Sequence, residues 1–377
     1  MQLARLIWTD ERGWSAPFPE LDSSRTLVLA FSDPDPGLCG PALQELHRAY
    51  PQGVVVGCSS SGEIAQADVL DEAISVAIVR FEHTRIQVSR RPIQAGDSAE
   101  VGSALGRSLQ ADDLRSVLVL SDGLDVNGTA LSAGITAAVR EGVVVTGGLA
   151  GDGDRFQQTW VFVDGELRPG CVVAIGLYGD RLEVGHGSRG GWDPFGPVRR
   201  VTASDGNVLH TIDHRPALSL YKTYLGDRAS GLPATALLFP LALRDPDVPG
   251  RDLVRTVLSI DEEQQSMTFA GDLPQEAQIQ LMRANFERLI DGAAEAATMS
   301  LSALDRDQPV LAVAISCVGR RLVLGQATEE EVEATLEGLP PGSVQAGFYS
   351  YGELSPAGQG SCELHNQTMT LTVWRER

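Results

Sequence analysis

A glycine-rich turn occurs twice in this chain, and that repeat constrains the fold more than any other feature. Residues 54–64 and 344–354 both fit the pattern V-x-x-G-x-x-S-x-G-E-[IL]. Each copy follows an apolar strand, a helical segment with i, i+3, i+4 apolar spacing and a proline-containing turn. Each is followed by another apolar strand. Self-similarity of this kind indicates that one supersecondary unit was duplicated.

A third and looser copy lies between the two. All three copies have the same predicted order of elements: a strand, a helix, a second strand, a glycine turn and a closing strand. The predicted segments are 26–31, 40–50, 54–64 and 73–81 in the first copy, 116–120, 128–140, 143–148 and 171–178 in the middle copy, and 309–317, 328–338, 344–354 and 367–374 in the last.

These patterns predict an α/β fold with mixed β-sheets flanked by helices, built from two related halves. Strands such as 117–120 are continuously apolar, as in sheets covered on both faces. Others alternate, as around Met369, Leu371 and Val373, which indicates burial on one face only. Residues 226–231 interrupt the pattern and mark a candidate boundary between the halves. If the halves pack with pseudo-symmetry, the two turns would face a shared cleft.

Charge excludes several classes of function. The 377 residues carry 50 acids against 30 bases, a formal net charge of −20, and Lys222 is the only lysine. A surface this acidic repels nucleic-acid phosphates and anionic lipid, so neither is an expected partner. Lys222 lies in Tyr-Lys-Thr-Tyr, which is no phosphate-binding loop. We also expect no membrane span, because no apolar stretch approaches the ~20 residues that one requires.

The cysteines indicate a reducing compartment. Their number is odd, their spacings are long and no CxxC pair occurs, so neither a disulfide scaffold nor a structural zinc site is expected. Reduced, buried thiols in a cytoplasmic protein are the favoured interpretation, and no signal peptide precedes the acidic residues Asp10 and Glu11. The five are Cys39, Cys58, Cys171, Cys317 and Cys362.

The turns carry groups that could recognise a small polar molecule such as an amino acid. Free backbone N–H groups in glycine turns can hold an anion, hydroxyls can donate or accept, and carboxylates can bind an ammonium. The alternative is that glycine and serine merely make a tight turn. The predicted ligand-binding residues are Gly57, Cys58, Ser59, Ser60, Ser61, Gly62, Glu63, Gly147, Gly148, Gly151, Asp152, Tyr349, Ser350, Tyr351, Gly352, Glu353, His365 and Asn366.

Catalytic and metal motifs are weak, and no catalytic residue or metal ligand set is predicted. A nucleophile elbow needs G-x-S-x-G, and the stretches from Gly57 to Gly62 and from Gly347 to Gly352 are both one residue too long. The glycines after residue 147 are followed by a strand instead of a helix, which disfavours dinucleotide binding. His186 and His365 are better placed than the pair His210 and His214 for a single-ligand role such as haem binding, although a hydrogen-bonded structural role is the alternative for each.

The chain resembles the FIST family. The C-terminal motifs are 317–321, 347–354 and 363–371, and the N-terminal motifs are 57–64, 121–123 and 147–152. The resemblance spans about residues 25–374 and implies a FIST N-terminal domain over 25–225 and a FIST C-terminal domain over 226–375. His214 stands where the family pattern has glycine after Asp213.

The resemblance implies a non-enzymatic intracellular sensory protein that binds a small ligand, amino acids among the candidates, with no cofactor required. A haem-based nitric-oxide sensor that regulates a partner histidine kinase is the second interpretation, with His365 or His186 as the haem ligand. A cysteine- or serine-dependent hydrolase is the third. After two FIST domains no output segment remains in the sequence, so signalling is expected to pass through a partner protein or a homodimer.

Overall fold

The apolar stretches predicted as strands are strands in the computed structural model, which describes residues 1–94, 96–244, 253–305, 307–356 and 361–377. The strands in chain order are β1 (Gln2–Thr9), β2 (Gly13–Trp14), β3 (Thr26–Ser32), β4 (Val54–Ser59), β5 (Glu63–Ala65), β6 (Asp68–Leu70), β7 (Ala73–Arg80), β8 (Arg85–Pro92), β9 (Leu114–Ser121), β10 (Val144–Leu149), β11 (Val161–Val163), β12 (Glu166–Arg168), β13 (Cys171–Tyr178), β14 (Leu182–Arg189), β15 (Trp192–Asp205), β16 (Val208–Ile212), β17 (Arg215–Pro216), β18 (Leu241–Arg244), β19 (Leu253–Arg255), β20 (Val257–Asp261), β21 (Ser266–Phe269), β22 (Gln278–Ala284), β23 (Leu311–Cys317), β24 (Val344–Ser350), β25 (Gly352–Pro356), β26 (Cys362–His365) and β27 (Met369–Glu376).

The helices are α1 (Pro36–Ala49), α2 (Ser98–Leu109), α3 (Gly128–Ala138), α4 (Ala217–Leu225), α5 (Phe286–Ser300), α6 (Val318–Leu324) and α7 (Thr328–Glu337), with short 3₁₀ segments at Gly226–Gly231, Ala234–Leu238 and Gly325–Ala327. Helix α1 begins four residues before the predicted segment, because Asp35 caps it by accepting the Gly37 N–H and Pro36 suits the first turn. The last strand begins later than predicted, since Gln367 has a left-handed φ of 63°.

The three repeat copies form three units around one core. In each unit the first two strands are parallel and the closing strand pairs antiparallel with the first, as in β3, β4 and β7. The same holds for β9, β10 and β13, and for β23, β24 and β27. The predicted mixed α/β architecture is confirmed, and the looser middle copy is a full member of it.

Each unit donates the hairpin that follows its glycine turn to the sheet of another unit. Strand β5 pairs with β24, β11 pairs with β4, and β25 pairs with β10. The three exchanges therefore close a ring. Sheet orders are β12-β11-β4-β3-β7-β1-β2, β26-β25-β10-β9-β13-β8 and β14-β27-β23-β24-β5-β6.

The inner faces of the three sheets share one apolar core. Phe31, Leu120 and Ile315 come from the first strands of the three units, and all are buried in the same cluster. The rings of Phe31 and Phe348 stack at 5.0 Å across it. Burial on this side and under helices on the other explains the continuously apolar strands.

A fourth sheet is inserted between β14 and α5, with the order β19-β18-β22-β15-β16-β21-β20 and its own apolar cluster, which includes Val201, Tyr221 and Phe269. We call residues 192–284 the inserted domain. The pattern break predicted at 226–231 is a 3₁₀ segment within it, after α4. Both sides of residue 225 contribute strands to shared sheets of the core, as in the β5–β24 pair.

All five cysteines are free and buried, as predicted. Among the described residues, no helix combines the length and the apolar character needed to cross a membrane.

Candidate functional site

The glycine turns of the three units meet at one point. Backbone hydrogen bonds join Ser61 N to Tyr349 O (2.9 Å) and Tyr349 N to Gly62 O (2.9 Å). The middle turn joins them through Gly151 N to Ser59 O (3.2 Å) and Tyr351 N to Leu149 O (3.1 Å). The two predicted turns thus do face each other, but they are in direct contact and no cleft separates them.

Close approach of parallel strands explains the first glycine of each turn. A Cβ at Gly57, Gly147 or Gly347 would lie 1.7–1.9 Å from a carbonyl oxygen of the neighbouring strand. Side chains crowd two further glycines: a Cβ at Gly148 would lie 2.8 Å from the Ile315 side chain, and a Cβ at Gly352 would lie 2.9 Å from the Leu364 side chain. These glycines serve backbone packing.

The serine hydroxyls of the first turn mostly bind backbone. Ser59 accepts the Trp160 N–H at 3.1 Å, and Ser60 accepts the Gly62 N–H at 2.9 Å. Ser61 accepts the Gly153 N–H at 2.9 Å. All three are buried, and among them Ser61 also borders an open cleft.

The two equivalent glutamates are buried in different surroundings. Glu353 is hydrogen-bonded to Ser350 Oγ (2.5 Å) and to the backbone and hydroxyl of Thr368 (3.2 and 3.0 Å). Burial nevertheless raises the pKa of Glu353 to about 8. Burial also raises the pKa of Glu63 well above its ordinary value, and the nearby carboxylates of Asp33 and Asp71 act in the same direction. Glu63 Oε2 has no partner within the described part of the chain.

Asp152 organises the loop that follows the middle turn. Its carboxylate accepts the N–H groups of Phe156, Gln157 and Gln158, each at 2.9 Å, and it accepts the Tyr351 hydroxyl. The ring of Phe156 stacks on that of Tyr351 at 4.6 Å. This loop therefore lies directly over the meeting point of the turns.

Asn366 binds the backbone of the last turn, whereas the two histidines have other surroundings. Asn366 is buried, donates to Tyr351 O (3.2 Å) and accepts the Thr256 N–H (3.2 Å), which ties the inserted domain to the last turn. His365 Nε2 lies 3.1 Å from Ser355 O within the β25–β26 hairpin. His186 lies on β14 and lines a separate cleft of about 570 Å³ with Val145, Pro356 and Cys362.

Cys58 is fully buried beneath the first turn, and burial together with the charge of Glu63 raises the pKa of its thiol well above the ordinary value. The thiolate is the nucleophilic form, so this environment opposes covalent chemistry at Cys58.

A cleft of about 660 Å³ opens beside the meeting point of the turns. Ser61 and Gly153 form its floor, Asp71, Asp154 and Glu329 supply carboxylates, and Arg321 supplies a guanidinium. We call it the turn cleft. Arg321 donates to Asp71 at 2.6 Å and to the Ser61 carbonyl, and it lies 5.7 Å from the ring centroid of Tyr349. This pairing with Asp71 raises the pKa of Arg321, although burial opposes it.

Sequence reasoning placed the site at the turns and missed most of the residues that line this cleft. Arg321 lies in the 317–321 motif that carries the family resemblance, so a signal for it was present. Asp71 and Asp154 lie in turns, and Glu329 lies in an acidic helical start. Nothing in their local sequence distinguishes them from solvated surface acids.

A buried ion pair lies behind the turn cleft. Arg320 and Glu331 are both 0% exposed and approach to 2.7 Å. Glu331 also accepts the hydroxyls of Tyr349 (2.7 Å) and Ser316 (2.9 Å). Arg320 donates further to Gly190 O (2.9 Å) and Leu289 O (2.7 Å). Those carbonyls flank the two points where the chain enters and leaves the inserted domain.

Comparison with known proteins agrees with the motifs. The family model of the FIST N domain matches residues 26–215, and that of the FIST C domain matches residues 217–356. No curated protein matches.

Two solved structures show weak overall similarity. The first is the cyanuric acid hydrolase from A. caulinodans, at 10% identity, a TM-score of 0.36 and coverage of 93% of this chain and 90% of that one. The second is a cyanuric acid hydrolase described as an evolutionary innovation by structural concatenation, at 10% identity, a TM-score of 0.34 and coverage of 100% and 99%. Similarity this low assigns neither a fold nor an activity to the chain.

Proposed function

The chain belongs to the FIST family, whose domains are associated with sensory and signal-transduction roles, and from that premise we propose that it is a non-enzymatic sensor of a small polar ligand. The turn cleft is the proposed binding site, and an amino acid is the proposed ligand class.

The observation that carries this proposal is the composition of the turn cleft. Arg321 offers a guanidinium for a carboxylate, and Asp154 and Glu329 offer carboxylates for an ammonium. Ser61 places a hydroxyl at the floor. A volume of about 660 Å³ lies within the range of small-molecule sites. A zwitterion complements such a cleft better than a simple anion or cation, since both charges find partners.

The buried ion pair supplies a route from ligand to output. Arg321 lines the cleft, and its neighbour Arg320 holds the carbonyls of Gly190 and Leu289 at the junction with the inserted domain. Tyr349 connects the same ion pair to the turns. A ligand that binds one arrangement of this junction more tightly would shift its population by that difference in affinity.

The test is a thermal-shift and calorimetric screen of the natural amino acids against the purified chain. We expect at least one to raise the melting temperature, and Arg321→Gln and Glu329→Gln each to weaken its binding about tenfold or more, the loss of one charge-assisted contact. Arg115→Gln, at an exposed pair with Asp180, is the matched control and leaves binding unchanged. The amino-acid proposal fails if none of them stabilises the protein at millimolar concentration.

A haem-based sensor of nitric oxide is a second candidate, favoured by the surroundings of His186. Its imidazole is half-buried, its Nδ1 has no partner in the described part of the chain, and desolvation lowers its pKa, which favours the neutral form that binds iron. His186 fits this role better than His365, whose Nε2 already faces Ser355 O. The test is to add haem to the purified protein and record the Soret band. A shifted Soret band that is lost in His186→Ala would support the haem-sensor candidate. A haem spectrum that the parent protein leaves unchanged would rule it out.

For output we propose a partner protein such as a histidine kinase, or a homodimer, and for location the cytoplasm. The five free buried thiols fit a reducing compartment. Pull-down with and without the ligand, followed by light scattering, distinguishes the two output routes.

A further inference from the structure

A third cleft, of about 490 Å³, lies on another part of the core and concentrates positive charge. Arg90 and Arg91 at the end of β8 line one wall, and Arg168 at the end of β12 lines the other. We call it the arginine cleft. Its two walls come from different sheets, since β8 is an edge strand of one and β12 an edge strand of another. In a chain with a net charge of −20, three guanidinium groups around one cleft stand out against the overall field.

These guanidinium groups are not neutralised by buried carboxylates. Arg90 pairs with Asp164 and Arg168 with Glu166, but those carboxylates are 60% and 64% exposed. Ion pairs at such exposure contribute little to stability, so a ligand can replace them readily. Arg91 forms no ion pair within the described ranges and donates to Arg90 O (3.0 Å). Arg168 Nε is buried and has no acceptor among the described residues.

The walls of the cleft are held in place by the fold. Gly170 donates to Asp122 Oδ2 (3.1 Å) and its carbonyl accepts the Ile93 N–H (2.9 Å). Asp122 Oδ1 accepts the Leu124 N–H (2.9 Å), and the Asp122 N–H binds Cys171 O (2.8 Å). The guanidinium groups therefore project from a fixed frame, which lowers the entropic cost of binding.

We propose that the arginine cleft binds a small ligand with at least two oxyanion groups, phosphate or carboxylate. Guanidinium presents paired N–H donors that match such groups in bidentate geometry. Three of them around a cleft of this size suit a polyanion better than a monoanion. This site is separate from the turn cleft and independent of the function proposed for it.

Isothermal titration with inorganic pyrophosphate and with citrate, at constant ionic strength, tests the proposal. We expect saturable one-to-one binding of at least one of them, weakened tenfold or more by Arg91→Gln/Arg168→Gln. Arg115→Gln/Arg189→Gln removes the same charge at exposed pairs elsewhere and is the matched control. Preference for pyrophosphate identifies phosphate as the ligand chemistry, and preference for citrate identifies carboxylate.

A gain-of-affinity variant keeps the test decisive if the double mutant folds poorly. Glu166→Gln removes the carboxylate that competes for Arg168, so we expect it to tighten binding several-fold with the fold unchanged. Absence of saturable binding of both anions up to millimolar concentration overturns the proposal. So does an equal loss of affinity in the control pair, which would indicate a general charge effect.

Discussion

The first and last glycine turns share one sequence pattern but are anchored in different ways. In the first turn, Ser59 accepts a backbone N–H from Trp160, and Glu63 keeps an oxygen without a partner in the described part of the chain. In the last turn, Tyr349 reaches the Arg320–Glu331 ion pair, and Glu353 is hydrogen-bonded at both oxygens. The pattern therefore specifies the backbone path, and the residues in its variable positions determine how each turn is held and what it can transmit.

The largest effect is expected where the last turn has an anchor that the first turn lacks. Arg320→Met leaves Glu331 as an uncompensated buried carboxylate, which costs about 3–5 kcal/mol in the free energy of unfolding. Arg320→Met combined with Glu331→Leu should recover much of that loss, because no buried charge remains. Urea unfolding measures both, and equal stability of the single and double variants would contradict the coupling.

The shared backbone path predicts equal sensitivity in the two turns. Gly57→Ala and Gly347→Ala each place a Cβ within 1.8 Å of a carbonyl oxygen, so parallel strands must separate. We expect each to destabilise the protein by about 3 kcal/mol, the upper part of the range for overpacking. Gly40→Ala is the control, because Gly40 likewise has no left-handed φ and its added Cβ would lie 3.8 Å from the nearest atom, at ordinary contact distance. A tolerated substitution in one turn alone would break the equivalence.

The anchors themselves can be compared by removing one hydroxyl from each. Tyr349→Phe removes a hydrogen bond to a charged carboxylate and should cost about 2 kcal/mol, whereas Ser59→Ala removes one to a neutral N–H and should cost about 1 kcal/mol. Thermal unfolding of the two variants gives the difference. A larger loss for Ser59→Ala would reverse the comparison.

Replacing the turn glutamates Glu353 and Glu63 by glutamine is expected to change the free energy of unfolding least at acidic pH. The effect of these substitutions should depend on pH more clearly than that of any other substitution proposed above. The pKa of Glu353 is about 8 in the fold against an ordinary 4.5, so the native state holds a proton that the unfolded chain releases. Its contribution is full below pH 4.5 and is lost as the pH rises through about 8. Glu353→Gln should change stability little at pH 5 and flatten this decline.

Glu63→Gln provides the matched variant, because the pKa of Glu63 is also raised but fewer bonds hold its carboxyl. We expect both variants to flatten the decline, because each removes a carboxyl group whose pKa is raised in the fold. Urea unfolding at pH 5–9 measures the slopes. Slopes identical to that of the parent chain in both variants would contradict the raised pKa values.

The repeat, the strands and the position of the turns could be predicted from sequence because they depend on local periodicity and on glycine. The partners of the strands could not, since Val, Ile and Leu runs specify burial without specifying a neighbour. The burial of Arg320 and Glu331 could not be predicted either, because Arg320 depends on the carbonyls of Gly190 and Leu289, which only the fold brings to it. The turn cleft escaped prediction for the same reason.

The closed exchange of hairpins sets an order for synthesis. Gln66 and Gln345, which hydrogen-bond next to the β5–β24 pairing, lie 279 positions apart. The first hairpin is therefore synthesised long before its acceptor strand β24, and its edge lacks its native partner until residues 344–350 have been made. Separations this long also slow the closing step. The sheet that contains β1 to β4, β7, β11 and β12 can be complete once residue 168 has been made, whereas the two sheets that contain β24 and β25 must wait for the last third of the sequence. The closed exchange of hairpins therefore divides the core into a sheet that can form early and two sheets that form late.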